Sequence, residues 1–149
     1  IQGDKVRMLK LAGSEDGEGY IKGIDATTGL PAEDYGNYAV MYEMNFTIGG
    51  EKKMRFVMNP IGGPFNGWGV LEQNGKKKFI GMPDDAVSTD NNVEDARVLA
   101  KLKPGKYKFT WSPAGTASLP LRFFWMPEQH KPVAKKYFKS YKLPENNND

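Results

Sequence analysis

The sequence predicts an all-β protein, a β-sandwich or jelly-roll of roughly eight to nine antiparallel strands. Apolar residues alternate with polar ones along several runs, turn residues separate the runs, and no convincing amphipathic helix exceeds about two turns. The alternation is clearest in residues 102–127, and residues 96–102 predict a strand that leads into them. The alternating positions are Tyr107, Phe109 and Trp111, then Leu119, Leu121, Phe123 and Trp125. Because successive side chains of a strand point to opposite faces, this period indicates two antiparallel strands, each with one buried face.

The first predicted elements are short. Residues 5–11 alternate partly and predict an opening strand, and residues 20–26 predict a second one. Residues 28–34 are rich in turn-forming residues and predict a turn. Residues 38–48 form the clearest strand, with Tyr, Val, Met, Phe and Ile side chains at every second position. We expect one face of this strand to belong to the core.

Two β-hairpins are predicted from pairs of turn residues. Gly49-Gly50 separates the preceding run from an alternating run that begins at Lys52. Asn74-Gly75 is a strongly favoured two-residue turn, and it separates residues 68–73 from residues 77–82. In each case the residues on either side are expected to pair as adjacent antiparallel strands.

The remaining segments predict one domain and a tail. The acidic residues 84–95 form either a long loop or one short helix, with Ser88 or Thr89 as its cap. We find no internal repeat, and we expect a single β-sandwich domain over residues 1–143. Residues 144–149 are polar and are expected to be disordered.

Composition excludes several kinds of chemistry. The chain of 149 residues has no cysteine, which excludes disulfides, thiolate metal sites and cysteine nucleophiles. The single histidine, His130, excludes a site built from several histidines. The formal net charge of +3 is small for this length, so we expect no nucleic-acid partner.

Two observations bear on location. No apolar run approaches the roughly 20 residues needed to cross a bilayer, so no transmembrane segment is expected. The chain begins at Ile1-Gln2-Gly3, which suggests a mature form that has lost an export signal, although a cloning boundary would give the same start. We therefore expect a secreted or cell-surface protein, and the lack of cysteine is compatible with the cytosol as well.

An aromatic surface is the first candidate for a binding site. Flat rings bind the apolar faces of sugars, while amides bind sugar hydroxyls. Trp68 follows the glycine- and proline-rich residues 59–67 and lies close to Asn66, which is where a ligand contact is expected. Tyr35 and Tyr38 complete the predicted ligand-binding set.

The three tryptophans differ in their surroundings. Trp111 and Trp125 are in register with other apolar residues, and we expect both to be buried in the core. For Trp68 the pattern leaves a core position and a ligand contact equally open.

An acidic loop is the second candidate, in this case for calcium. Carboxylate oxygens are the ligands that calcium prefers, and residues 84–95 contain several of them. The weak metal-ligand candidates are Asp84, Asp85, Asp90 and Asp95. Their spacing is not that of an EF-hand, and solvated loop charge is the favoured interpretation. The sequence assigns no cofactor and leaves structural calcium open.

Catalysis is the weakest candidate. His130 is close in sequence to Glu128, but no serine lies in a Gly-x-Ser-x-Gly frame. The pair of carboxylates that glycoside hydrolysis requires cannot be placed from the sequence. We assign no catalytic residue, and a binding protein is favoured over an enzyme.

A lysine-rich segment follows the last predicted strand. Residues 131–142 interleave lysines with aromatic residues. They either dock on an anionic polymer or membrane surface, or cover the edge of the sandwich while the lysines stay in water. Packing is the favoured interpretation.

Two pairs of segments carry a family resemblance. The first pair is YGNYAVMY at residues 35–42 and MNPIGGPF at residues 58–65, and the second is LKPGKY at residues 102–107 and LPLR at residues 119–122. Together, over residues 35–126, they resemble secreted bacterial β-domains of poorly assigned function, some of which accompany cell-surface stalk modules in Gram-positive organisms. The resemblance implies export and a surface role. It carries over no active-site residue, because its motifs consist of turn and strand residues.

The function expected from the sequence is that of an exported, non-enzymatic β-sandwich that binds carbohydrate or another polymer of the cell envelope. A structural or protein-interaction domain of the cell surface is the alternative, using an open sheet edge or the basic C-terminal segment. A hydrolase on the same scaffold is the third possibility. The sequence does not predict an oligomeric state.

Overall fold

The chain forms short antiparallel β-strands in the computed structural model, which describes residues 1–3, 5–13, 18–60, 65–82, 97–115 and 117–128. Ten strands lie within these ranges, which contain no helix. The strands are β1 (Arg7–Leu11), β2 (Ile21–Ile24), β3 (Pro31–Asp34), β4 (Tyr42–Ile48), β5 (Met54–Pro60), β6 (Gly67–Gln73), β7 (Lys76–Met82), β8 (Arg97–Leu102), β9 (Gly105–Trp111) and β10 (Leu121–Pro127). It follows that the described part of the chain has no helix that could cross a membrane.

Two four-stranded sheets and one hairpin contain all of these strands. The first sheet has the strand order β1-β10-β5-β8, and the second has the order β4-β9-β6-β7. Strands β2 and β3 pair only with each other. All strand pairs are antiparallel. The predicted all-β class is confirmed, and the two larger sheets form a sandwich-like structure.

Aromatic rings fill the space between the two sheets. Phe56 on β5 packs edge-on against Phe109 on β9, with 5.1 Å between ring centroids. Phe46 on β4 likewise packs against Trp125 on β10 at 5.1 Å. The alternation of apolar residues places these rings on the inward faces, where their burial is the main favourable contribution to folding. The prediction that Trp111 and Trp125 belong to the core is confirmed, since they are 2% and 5% exposed.

The hairpin predicted at Asn74-Gly75 is confirmed. Strands β6 and β7 pair through this turn, beginning with Gln73 opposite Lys76. Both turn residues have positive φ, 51° for Asn74 and 74° for Gly75. This conformation matches the twist of the flanking strands, and Asn-Gly adopts it at low cost.

The hairpin predicted at Gly49-Gly50 is wrong. Strand β4 pairs with β9, whereas β5 pairs with β10 and β8, so the connection between β4 and β5 crosses from one sheet to the other. The physical reason is that their apolar faces pack against each other. Phe46 on one sheet and Phe56 on the other contact across the core with 5.6 Å between ring centroids. Strands β9 and β10, predicted in residues 102–127, likewise lie in different sheets.

Two further boundaries differ from the prediction. Part of the predicted turn at residues 28–34 forms strand β3, which raises the strand number from the predicted eight or nine to ten. Conversely, β4 begins at Tyr42 rather than at Tyr38. Ala39 has a positive φ of 60°, which is incompatible with an extended strand at that point. The possible helix at residues 84–95 and the tail at residues 144–149 lie outside the described residues.

Candidate functional site

The outward face of the second sheet carries the candidate site. Within β6, Gly69 and Leu71 are buried while Trp68 is exposed, so Trp68, Val70 and Glu72 share the outward face. Within β7, Ile80 and Met82 are buried, so Phe79 and Gly81 face outward beside them. The pairing of β6 with β7 therefore sets the arrangement of the site.

Trp68 and Phe79 form an exposed aromatic pair. Their ring centroids are 5.7 Å apart with planes inclined by 52°. Trp68 is 64% exposed and Phe79 is 71% exposed, so both rings present most of their surface to solvent. Because an aromatic pair gains contact energy beyond the area that it buries, the two rings stabilise each other's orientation.

Trp68 has glycine neighbours both in the chain and across the ladder. Gly81 lies directly opposite Trp68 in the ladder, and a Cβ added there would have no heavy atom within 4 Å. Gly69 is different, because a Cβ there would be 2.5 Å from Cζ of Phe109 in the core. The absence of a side chain at Gly81 leaves an open area beside the indole. We name Trp68, Val70, Phe79 and Gly81 the aromatic platform.

A row of charged and amide side chains borders the aromatic platform. Lys108 Nζ lies 3.6 Å from Glu43 Oε2 and 3.8 Å from Glu72 Oε2. Asn45 lies opposite Lys108 in the ladder and donates a hydrogen bond of 2.9 Å to Glu43 Oε1. This bond and, secondarily, the charge of Lys108 favour the ionised form of Glu43 and lower its pKa. Amides and charges placed in this way can bind hydroxyl groups of a ligand.

Asn66 is exposed just before β6. Its neighbour Phe65 is fully buried and packs edge-on against Trp111 with 6.2 Å between centroids. Phe65 therefore anchors the start of β6 in the core, and Asn66 and Trp68 follow on the surface. The structure brings these two predicted site residues to the same part of the surface.

The other two predicted site residues, Tyr35 and Tyr38, lie in the loop before β4. Tyr35 is 71% exposed and packs edge-on against Tyr20 at 5.1 Å. Tyr38 is half-buried and donates a hydrogen bond of 3.0 Å to the carbonyl oxygen of Ala117. Tyr38 thus has a structural role in joining two loops.

We name residues 35–41, the loop before β4, the tyrosine loop. The ladder pairing shows where this loop lies relative to Trp68. Tyr42 at the start of β4 pairs with Trp111, and Trp111 pairs with Gly69 next to Trp68. The loop before β4 and the start of β6 therefore lie at the same end of the second sheet. The ring contacts differ, however: Trp68 contacts Phe79, whereas Tyr35 contacts Tyr20. The aromatic platform and the tyrosine loop are two separate surfaces at that end.

A polar cluster holds the tyrosine loop in place. Glu18 Oε1 accepts hydrogen bonds from the backbone N–H groups of Ala12 and Gly13, at 2.6 and 2.8 Å. It also accepts one of 2.5 Å from the hydroxyl of Tyr42 and one of 3.1 Å from Nδ2 of Asn37. Burial, together with the hydrogen bond to Glu18, raises the pKa of Tyr42. The cluster joins the chain around β1, the β2–β3 hairpin and β4.

Sequence reasoning did not select Phe79. A usable signal exists, because a two-residue turn at Asn74-Gly75 places Val70 opposite Phe79 and Trp68 opposite Gly81. The hydrogen bonds that Glu18 accepts from Tyr42 and Asn37 were also missed. These residues are distant from Glu18 in sequence, and no local pattern predicts their contact.

The candidates for metal binding and catalysis receive no support from the described structure. Asp84, Asp85, Asp90 and Asp95 lie outside the described residues, as does His130. Within the described ranges, no group of three or more His, Cys, Asp or Glu side chains could hold a metal ion.

No protein-family model matches the chain, and no curated protein matches its sequence. The protein is therefore described by its architecture, an all-β sandwich-like fold with an exposed aromatic pair on the outward face of one sheet.

Proposed function

We propose that the protein is an exported, non-enzymatic binding module whose ligand is a carbohydrate or another polymer of the cell envelope. The observation that carries this proposal is the aromatic pair of Trp68 and Phe79, which is largely exposed on a sheet face. Trp68 and Asn66 are the primary ligand-binding residues. Tyr35, with Tyr38 fixing its loop, forms a second contact region at the same end of the sheet.

The physical basis is the stacking of sugars on flat rings. One face of a pyranose ring consists of C–H groups and is apolar, so it gains free energy by leaving water against an aromatic ring. A contiguous apolar patch on a protein surface often marks a binding site. The polar row of Asn45, Lys108 and Glu72 lies next to the rings and supplies donors and acceptors for hydroxyls.

The topology supports the same proposal. The orders β1-β10-β5-β8 and β4-β9-β6-β7 are those expected for two Greek keys folded into a jelly-roll. Jelly-rolls include lectin domains, although a fold does not by itself define a function. The resemblance of residues 35–126 to secreted bacterial β-domains supports export and a location at the cell surface.

A glycan array and affinity electrophoresis through soluble polysaccharides test the proposal. The wild-type chain, Trp68→Ala and the control Leu30→Ala are compared, because Leu30 is a large exposed apolar residue on the β2–β3 hairpin. We expect Trp68→Ala to weaken binding by about ten-fold or more. Its free energy of unfolding should change by no more than about 0.5 kcal/mol, because the side chain is exposed. If no polysaccharide binds, or if Leu30→Ala weakens binding equally, the proposal is wrong.

A protein-interaction role is the second candidate, and the β2–β3 hairpin favours it. This hairpin belongs to neither larger sheet, and Ile21, Ile24 and Leu30 on it are exposed. Apolar residues on a projecting hairpin can pack against a partner protein. This role predicts a defined oligomer or complex in light scattering that Ile24→Ser disrupts. A monomer that forms no complex through the hairpin would contradict it.

A further inference from the structure

We propose that the polymer bound at the aromatic platform is an acidic polysaccharide, and that Lys77 and Lys106 bind its carboxylate or sulfate groups. This inference rests on the proposed function and specifies the ligand class. The observation behind it is a set of lysines that lie on the same sheet face as the aromatic platform or beside it. We name Lys76, Lys77, Lys78 and Lys106 the lysine stripe.

The lysine stripe continues the aromatic platform along the strands. Lys77 precedes Phe79 by two residues on β7, so both side chains point outward, about 7 Å apart along the strand. Lys106 is exposed on β9 and shares the outward face with Lys108, two residues further on. Lys76 and Lys78 extend from β7, which is the last strand of its sheet. A polymer lying along β6 and β7 would therefore contact aromatic rings first and lysines next.

An acidic side chain borders the lysine stripe, because Lys77 lies opposite Glu72 in the β6–β7 ladder. Glu72 forms its ion pair with Lys108, however, as Glu43 does. None of the four lysines of the stripe has an ion-pair partner among the described residues. The stripe is thus available to pair with charges of a ligand.

Neighbouring turns reinforce the positive charge. The pairs Gln73↔Lys76 and Ile48↔Gly105 place the β6–β7 and β8–β9 turns and the β4–β5 connection at one end of the sandwich. Lys52, Lys53 and Lys103 are exposed there. The acidic residues at this end are Glu51 in the β4–β5 connection and Glu128, whose backbone N–H donates a hydrogen bond to the carbonyl oxygen of Lys53. Such a cluster attracts a polyanion over a distance comparable to the Debye length, about 10 Å at 0.1 M salt.

The acidic residues of the same face influence how a bound polymer would lie across the sheet. Glu43 is exposed on β4, and the hydrogen bond from Asn45 and the charge of Lys108 lower its pKa further below neutrality. Anionic groups would be repelled from Glu43 on the β4 side and from Glu72 on β6, and attracted to the lysines of the β7 edge. Lysines on an edge strand also discourage pairing with other chains. Protection of the sheet edge alone predicts no preference for an acidic polymer. A measured preference would therefore distinguish ligand binding from edge protection.

The experiment compares acidic polymers with neutral forms of the same backbones. Polygalacturonate is paired with its fully methyl-esterified form, and alginate and hyaluronan with their carboxyl-reduced forms. Affinity is measured by isothermal titration at about 0.05 M and about 0.5 M NaCl, because screening is much stronger at the higher concentration. The test variant is Lys77→Gln with Lys106→Gln. The matched control is Lys22→Gln with Lys101→Gln, which removes the same charge from lysines near Glu33 and Glu128.

We expect at least one acidic polymer to bind more tightly than its neutral form at low salt. The test variant should lose roughly three- to ten-fold in affinity for it at low salt and little at high salt, whereas the control pair should lose little. Equal affinity for acidic and neutral forms, or an equal loss in the control pair, would overturn the inference. If Trp68→Ala still weakens binding of a neutral polymer in that case, the proposed function stands without it. Binding of anionic lipid vesicles instead of any polysaccharide, lost in the test variant, would also overturn it.

Discussion

Trp68 faces Gly81 across the β6–β7 ladder, so the indole has no side chain directly opposite it on the outward face of the sheet. The next outward pair is Val70 opposite Phe79, and the Phe79 ring contacts the indole from that position. The indole is therefore supported by an aromatic ring from the next outward pair, while the position directly opposite it is open. We name this open position the shelf, and we propose that a flat ligand lies there.

The first prediction is that Gly81→Thr leaves the fold intact and weakens ligand binding. The free space at Gly81 accommodates a Cβ, and threonine favours strands more than glycine does. The free energy of unfolding should therefore stay the same or rise by about 0.5 kcal/mol. The branched side chain would occupy the shelf beside Trp68, so polysaccharide affinity should fall. Urea unfolding and affinity electrophoresis measure the two effects, and unchanged affinity would exclude the shelf as the binding surface.

The second prediction concerns Gly69, which is next to Trp68 in the chain. A Cβ there would lie 2.5 Å from Cζ of Phe109 and 3.0 Å from the carbonyl oxygen of Thr110. Gly69→Ala should therefore lower the free energy of unfolding by about 1–3 kcal/mol, as overpacking does. Gly81→Ala is the matched control and should change it little. The double variant with Phe109→Leu should recover part of the loss, and strict additivity of the two changes would contradict the steric explanation.

The third prediction compares two phenylalanines. Phe56 is fully buried and contacts Phe46, Phe109, Phe123 and Trp125. Phe56→Ala should cost about 3–5 kcal/mol, because it leaves a cavity between the sheets. Phe79→Ala removes the same atoms from the surface and should cost about 0.5 kcal/mol or less. Thermal and urea unfolding test both values, and Phe56→Leu provides a milder variant if Phe56→Ala does not fold.

The fourth prediction concerns alkaline pH. Burial and the hydrogen bond to Glu18 raise the pKa of Tyr42 above its ordinary value of 10.0. The folded state therefore retains the phenolic proton at a pH where the unfolded chain releases it. It follows that Tyr42 contributes stability below about pH 10 that is lost as the pH rises further. Tyr42→Phe should show a smaller fall in the free energy of unfolding between about pH 8 and about pH 11. Equal slopes for the two proteins would refute the coupling, because other titrating groups are common to both.

Local sequence signals predicted the elements that depend on neighbouring residues. Asn74-Gly75 predicted a hairpin because its residues adopt positive φ readily, and the pairing that it sets also places Trp68 opposite Gly81. The alternation around Trp111 and Trp125 predicted their burial, since strict period two leaves them on the apolar face. By contrast, Gly49-Gly50 has the same local signature as a hairpin turn, yet it connects two different sheets.

The face on which Trp68 lies shows why the sequence leaves part of the site undecided. Along β6, Trp68 and Val70 alternate with Gly69 and Leu71, so both faces of the strand carry apolar residues. The pattern alone cannot say which face is buried. Gly69 decides it, because its missing side chain lets the ring of Phe109 approach the strand from inside.

The sequence by itself determined the all-β class, most strand positions, one hairpin and the identity of the core tryptophans. Those features depend on backbone preference and on side-chain period, which act over a few residues. The tertiary structure decided which sheet each strand joins, that Trp68 and Phe79 meet on an outward face, and that Glu18 contacts Tyr42. These relationships join residues far apart in the chain. They follow from burying two apolar sheet faces against each other, a requirement that no local segment can satisfy alone.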